Sequence, residues 1–287
     1  MLKILITGAN GQLGSTFRKL SNNLQEIEFI FTDVEEMDIT EKKQIDQFLQ
    51  TYHPSYIINC AGYTAVDLAE DEPEKAYALN NTAVQCLSNS AKQYGAKLIH
   101  ISTDYVFGGE KNTPYKEEDE TNALSVYGKS KASGEEKIKD EDHVMVIRTS
   151  WLYSNFHKNF YKTIQKLSSE REKLNVVYDQ IGTPTFAGDL ASVIITILEH
   201  NERTKSFQNG IFHYSNEGIA SWYDFAIEII NLSGNHCIVH PVESHEFEQK
   251  AKRPFYSLMS KRKIRNSFHI EIPYWKESLK KCLNEID

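Results

Sequence analysis

Five short, predominantly apolar runs, Leu2 to Ile6, Ile27 to Phe31, Tyr56 to Asn59, Leu98 to Ile101 and Val144 to Ile147, recur through the first half of the chain, separated by segments with helical spacing. A strand with one wet face alternates apolar and polar residues, so runs that lack the alternation must be covered on both faces. Right-handed crossovers between parallel strands achieve this by placing helices on either side of the sheet. The expected class is therefore α/β, a doubly wound Rossmann-type parallel sheet. Ligands of such a sheet bind beyond the carboxyl ends of the strands, which directs attention to the residues after Ile6, Phe31, Asn59, Ile101 and Ile147.

After about Ser150 the alternation loosens into helical stretches near 159–168, 189–200, 221–232 and 275–283. Residues 1–150 are expected to form the sheet domain, and 151–287 a smaller lobe that covers its open edge and interleaves with it. The polar stretches 109–122 and 245–252 read as surface loops. There is no internal repeat or Gly/Ser linker that would make the two parts independent.

Composition narrows the partners. The 287 residues are 40% hydrophobic, the proportion of an ordinary folded protein, and the formal charge of -8 arises from mixed signs without a basic run. Nucleic acid is not an expected partner, because nothing is placed to neutralise a phosphate backbone. No apolar stretch is long enough to cross a bilayer, and Met1 to Thr7 is too short for an export signal and runs directly into a glycine turn. Cys60, Cys86, Cys237 and Cys282 form no C-x-x-C pair, consistent with a cytoplasmic location and reduced thiols.

The first strand leads into Gly8-Ala9-Asn10-Gly11-Gln12-Leu13-Gly14 and then a helix. Glycines at such a turn let the backbone approach a pyrophosphate at the positively polarised start of the helix. The spacing is G-x-x-G-x-x-G, and its context strengthens it: Asp33 ends the second strand about twenty residues on, where a carboxylate can accept hydrogen bonds from an adenosine ribose. This leans toward NADH, with NADPH still open. Asp38 and Ile39, ahead of Thr40 as an expected helix cap, are placed to border the adenine. Asn59-Cys60-Ala61-Gly62 ends the third strand either as a close cofactor contact or as a tight turn.

Tyr127 and Lys131 are four residues apart in a helical stretch from about Ser125 to Ile138 and so share one face. A ketone that accepts hydride develops negative charge on oxygen and needs a proton, and a free tyrosine, with a pKa near 10, is a reluctant acid to regenerate. A neighbouring ammonium stabilises the transient phenolate and can hold the nicotinamide ribose hydroxyls. The fourth strand ends in Ile101-Ser102-Thr103-Asp104, which delivers the Thr103 hydroxyl to the same edge as a hydrogen-bond donor for the carbonyl oxygen. Thr103, Tyr127 and Lys131 are the candidate catalytic group.

The ordered string Gly8 to Gly14, Asn59 to Asp67, Ser102 to Gly108, Tyr127 to Lys131, Arg148 to Tyr153, Asp179 to Thr185, Ser221 to Ala226 and Arg253-Pro254 resembles the dTDP-4-dehydrorhamnose reductase family of extended short-chain dehydrogenases over nearly the whole chain. The resemblance implies an NAD(P)-binding Rossmann domain at 1–150, a mainly substrate-binding lobe at 151–287, and reduction of the C4 ketone of dTDP-6-deoxy-L-lyxo-4-hexulose by NADPH or NADH to dTDP-L-rhamnose. It further implies that Gly11, Gln12 and Leu13, within the turn whose Gly8 and Gly14 are also cofactor-binding candidates, touch the pyrophosphate and that Asp33, Asp38 and Ile39 flank the adenosine. Gly62, Tyr63 and Thr64 would follow along the cofactor with Tyr127 and Lys131, and Thr103, Asp104 and Trp151 would contact the sugar.

Some members of that family are dimers bridged by Mg2+ through a carboxylate on the first helix. Ser15-Thr16 stand there in this chain, so no metal is expected, and either a monomer or a homodimer fits. Two other readings share the cofactor lobe. A nucleotide-sugar epimerase or 4,6-dehydratase would use the same Tyr and Lys, but a dehydratase commonly carries an Asp-Glu pair where this chain has Asp104-Tyr105. A non-catalytic regulatory subunit of the same fold would have no need of the complete Thr103, Tyr127 and Lys131 set.

Overall fold

A computed structural model describes residues 1–285. The chain begins β1 (Leu2–Thr7), α1 (Gln12–Ser21), β2 (Ile27–Thr32), α2 (Lys42–Tyr52), β3 (Tyr56–Asn59), and continues through a helical run to α3 (Ala83–Gln93), β4 (Lys97–Thr103), α4 (Val126–Ile138) and β5 (Val144–Thr149). The remainder comprises α5 (Phe160–Glu170), β6 (Lys173–Val177), α6 (Ala187–Thr204), β7 (Gly210–His213), α7 (Trp222–Ser233), β8 (Ile238–Val242), α8 (Arg262–Phe268) and α9 (Trp275–Asn284). The main sheet has six strands in the order β7-β5-β4-β3-β1-β2, and every pairing in it is parallel. The chain reverses direction across the sheet between β1 and β3, which opens a crevice at their carboxyl ends.

Residues within each strand divide between two faces, and both are dry. Ile4, Ile6, Ile58, Ile99 and Ile147 pack on one side with Leu13 and Phe17 of α1, Leu190, Ile194 and Leu198 of α6, and Ile264 and Phe268 of α8. Leu5, Ile57, Leu98, Val144 and Val146 pack on the other with Ile45 and Leu49 of α2, Val84 and Leu87 of α3, and Ile138 of α4. This double burial is the physical reason the strand sequences show no alternation. The C-terminal segments build a separate core in which Tyr153, Tyr161, Phe186, Phe225, Ile229, Trp275 and Leu279 meet. No helix among the described residues is long and apolar enough to cross a membrane.

The two parts of the chain share the sheet: β7 pairs with β5 from Gly210 opposite Met145 to His213 opposite Arg148 and adds a sixth strand. Two local features differ from the sequence expectations. Residues 109–122 are not wholly a surface loop, because Tyr115 is buried, stacks on Phe107 at 4.1 Å and bridges to Met259. Thr40 does not cap α2, whose N-cap is Glu41; instead the Asp38 carboxylate accepts from the Thr40 amide (2.8 Å) and hydroxyl (2.7 Å), an Asx turn one step earlier.

A buried ion pair fastens α4 to β5. Arg148 donates through Nε and Nη2 to both oxygens of Glu135, with a shortest contact of 2.7 Å, and each side chain is only 3% exposed. Such a pair offsets its desolvation only while both members are present. Arg148→Met strands a carboxylate in the core, and we expect urea denaturation to show a loss of about 3–5 kcal/mol. The double variant Glu135→Leu with Arg148→Met leaves no buried charge and is expected to lose less than the single variant; an equal or greater loss would contradict this account.

Candidate active site

The carboxyl ends of β1 to β5 open into one long cleft of about 1620 Å³. On the β1 side the chain turns at Gly8, whose φ of +62° suits glycine, and a Cβ there would lie 2.6 Å from the backbone nitrogen of Ala61. Strand ends β1 and β3 can be this close only because that atom is missing. α1 begins directly at Gln12 with no side chain capping its first turn, leaving its amides to face the cleft as a site for anionic phosphate. Asp33 at the end of β2 accepts hydrogen bonds from the amides of Asn10 (2.8 Å) and Val34 (2.9 Å), which fixes its carboxylate beside the glycine turn. The cradle suits a dinucleotide: backbone donors at its middle and an acid at its ribose end.

Most of the expected cofactor residues come together here. Gly8, Gly11, Gln12, Leu13, Asp33, Asp38, Ile39, Gly62 and Thr64 line the cleft. Gly14 and Tyr63 are not among the lining residues. Gly14 packs against the Gly8 carbonyl within the turn, and the Tyr63 hydroxyl points to Glu72, to which it donates at 2.7 Å. Below the strand ends a chain of buried polar groups joins three strands: Thr7 donates to Asn59 at 2.7 Å, and the Asn59 amide donates to Nδ1 of His100 at 3.0 Å. Burial, assisted by the charge of Lys131, holds His100 well below its usual pKa and so neutral.

The catalytic candidates converge at the centre. Ser125 caps α4 by accepting from the Gly128 amide at 3.1 Å, and the helix carries Tyr127 and Lys131 into the cleft wall. Lys131 is buried and donates to the carbonyl of Ile101 at 2.7 Å. Burial lowers its pKa to about 8, with Glu135 and Cys60 acting in the opposite sense. Tyr127 is pushed up to about 12 by burial, against a hydrogen bond with Thr103 that works the other way. Thr103 caps the turn after β4, accepting from the Tyr105 amide at 3.2 Å and donating to Asp104 at 3.1 Å. Asp104 is raised to about 7, again chiefly by burial, against hydrogen bonds from Ser257 and Thr103. Ser102 and Thr149 also line the cleft, and their buried hydroxyls have no hydrogen-bond partner among the described residues.

Trp151, two residues beyond β5, also lines the cleft and has a φ of +47°. Its ring stacks on Trp222 at 3.7 Å and 9°, and it lies so near Gly182 that a Cβ there would come within 2.9 Å of the ring. Trp222, Phe160 and Phe225 extend this aromatic wall toward α5, and Arg253 closes the cleft from a segment anchored by its 2.7 Å ion pair with Asp67.

Sequence reasoning missed Asn80. It sits in a π-helical turn, Ala78–Thr82, fully buried. Its side chain accepts from the Tyr63 amide (2.9 Å) and donates to the Tyr63 carbonyl (3.0 Å) and the Ser130 hydroxyl (3.0 Å), tying the loop after β3 to the helix of Tyr127 and Lys131. A Cβ at Gly134 would lie 2.0 Å from the Asn80 carbonyl, so α4 seats directly on this turn. The only sequence signal was two adjacent asparagines, Asn80-Asn81, inside a helical pattern that does not favour them. One His/Asp/Glu group with metal-like spacing exists among the described residues, Glu141, Asp142 and His143. It precedes β5, at the end of the sheet away from the cleft.

Comparison with known proteins shows the family. The family model described as "RmlD substrate binding domain" matches residues 2–287. The chain is 40% identical to a dTDP-4-dehydrorhamnose reductase of Aggregatibacter actinomycetemcomitans, with 98% of each chain covered. Among solved structures it is similar to a dTDP-4-dehydrorhamnose reductase of Clostridium acetobutylicum, with 40% identity, a TM-score of 0.92 and 99% of each chain covered. It is also similar to the Bacillus anthracis reductase in complex with NADP, with 38% identity, a TM-score of 0.94 and full coverage of both chains. A glycine cradle, a buried Tyr and Lys on one helix and full-length similarity to these oxidoreductases lead to one assignment: the chain belongs to the dTDP-4-dehydrorhamnose reductase family.

Proposed function

We propose that this protein reduces the C4 ketone of dTDP-6-deoxy-L-lyxo-4-hexulose to dTDP-L-rhamnose, using NADPH or NADH. The observation that carries this reading is the convergence of Thr103, Tyr127 and Lys131 on one wall of a cleft that continues into a dinucleotide cradle. A bound reduced nicotinamide supplies hydride to the carbonyl carbon. Turned from Asp104, to which it donates at 3.1 Å, the single Thr103 hydroxyl proton serves the carbonyl oxygen and aligns it with the acid Tyr127 beside it. The raised pKa of Tyr127 keeps its proton in place at neutral pH until charge develops on the substrate oxygen, which then takes it. Lys131 has one N–H committed to Ile101 and two directed elsewhere, and its positive charge offsets the phenolate that forms. Residues 1–150 hold the cofactor in this reading, and 151–287 chiefly the nucleotide sugar, with Trp151 and Asp104 against the hexulose.

The decisive assay follows nicotinamide oxidation with the dTDP-hexulose. Tyr127→Phe is expected to lower kcat by about 100-fold or more with little change in KM, since it removes only the proton donor. Full turnover by that variant, or no nicotinamide consumption by the wild type, would refute the reading.

The state of Lys131 gives a pH signature. A lysine is charged below its pKa, so its help is present below about 8 and is lost as pH rises through that value. The profile of kcat/KM against pH is expected to fall on the alkaline side near pH 8, and Lys131→Met, already slow, is expected to lose that limb.

Asp33 bears on cofactor choice. Its fixed carboxylate welcomes ribose hydroxyls and repels a 2'-phosphate. Asp33→Ser is expected to shift the ratio of kcat/KM values toward NADPH by about tenfold, measured with the two nicotinamides in parallel. A ratio that does not move would mean that another group sets the preference.

A further inference from the structure

Gln12 sits where the cofactor cradle meets α1, yet its side chain turns to the other lobe. Its Oε1 accepts from Asn159 Nδ2 at 2.8 Å and from Ser154 Oγ at 3.1 Å, and its Nε2 donates to the Leu152 carbonyl at 3.5 Å. All three partners lie on the segment between β5 and α5 that also carries Trp151. Asn159 also caps α5, because its Oδ1 accepts from the Lys162 amide at 3.0 Å. One amide thus holds the start of α5 with its oxygen and Gln12 with its nitrogen, while Nδ2 also donates to the carbonyls of Ser154 (2.8 Å) and Phe156 (3.3 Å). α5 presents Phe160, Thr163, Ile164 and Leu167 to the cleft. Ser15 Oγ and His157 Nε2, 3.2 Å apart, form a second and more exposed contact between the same two segments.

We propose that Asn159 is a positioning residue that, through Gln12, couples occupancy of the cofactor turn to the wall that receives the nucleotide sugar. The proposal rests on the reading that this cleft holds a nicotinamide dinucleotide and a dTDP-sugar together. A pyrophosphate at the start of α1 immobilises Gly11 and Gln12; Gln12 immobilises the 152–159 segment, and with it Trp151 and the first turn of α5. The ordering cost met by the first ligand is not met again by the second, so each raises the affinity of the other by the same factor.

The test measures dTDP-L-rhamnose binding by calorimetry, with and without saturating NADP+. Wild-type protein is expected to bind the sugar nucleotide at least about fivefold more tightly with NADP+ present. Asn159→Ser and Asn159→Asp both retain an N-cap side chain, but serine is too short to reach Gln12 and aspartate has no N–H to donate. In both, the ratio is expected to fall below about twofold while NADP+ alone binds no more weakly than to the wild type, since it no longer meets the cost of ordering the 152–159 segment. A wild-type ratio that persists in the variants, or no ratio in the wild type, would overturn the proposal. Wild-type protein that binds NADP+ but no dTDP-L-rhamnose would overturn the functional reading beneath it. Should the Asn159 variants fail to fold, Ser154→Ala removes the other donor to Gln12; an intermediate ratio supports the coupling and an unchanged one refutes it.

Discussion

The buried contact of Arg148 with Glu135 is the interaction around which the site is assembled. Glu135 lies one turn beyond Lys131 on α4, and Arg148 lies near the end of β5, just before the chain leaves the sheet for Trp151. The pair therefore sets the height of α4, which carries Tyr127 and Lys131, against the strand that leads to Trp151. The Arg148 guanidinium also lies 5.0 Å from the centre of the Phe107 ring, which brings the segment after β4 into the same arrangement. The Glu135 carboxylate has a chemical effect as well, because its negative charge partly counters the burial that lowers Lys131. One ion pair thus serves position and proton affinity together.

The site depends on backbones coming unusually near each other. Gly8 admits Ala61 to the first turn, and Gly134 seats α4 on the carbonyl of Asn80. Asn80 then bonds both polar backbone atoms of Tyr63 and the hydroxyl of Ser130, so the loop after β3 and the helix of Tyr127 cannot move independently. The titrating groups of the centre are buried for the same reason. Tyr127 and Asp104 are both raised, and Lys131 lowered, chiefly by exclusion of water, which also strengthens electrostatic effects between charges within the cleft.

Residues on regular elements were the most legible from sequence. Thr103 could be placed because it follows an apolar run, and Tyr127 and Lys131 because a four-residue step on a helix has one geometry. Residues whose roles depend on a distant partner were not legible in this way. Asn80 read only as an odd residue in a helix, and Gln12 as part of a glycine turn, because its side-chain partners lie 140 or more residues away. The four-residue strand Gly210 to His213 carried too short a pattern to announce itself, and its place in the sheet comes from pairing with β5. Tyr115 looked like a loop residue since its burial is supplied by Phe107 and Met259 rather than by its neighbours in sequence.

The sequence alone determined the doubly wound sheet, the position of the first glycine turn and the identity of the residues at the strand ends, because these follow from local periodicity and from conformations that only particular residues tolerate. Tertiary structure decided how the strand ends close on one another, which side chains face the cleft and how far the proton affinities move. It alone carried the Gln12 side chain across to Asn159. Those properties are set by non-local packing and by exclusion of water, and neither is encoded in any single stretch of chain.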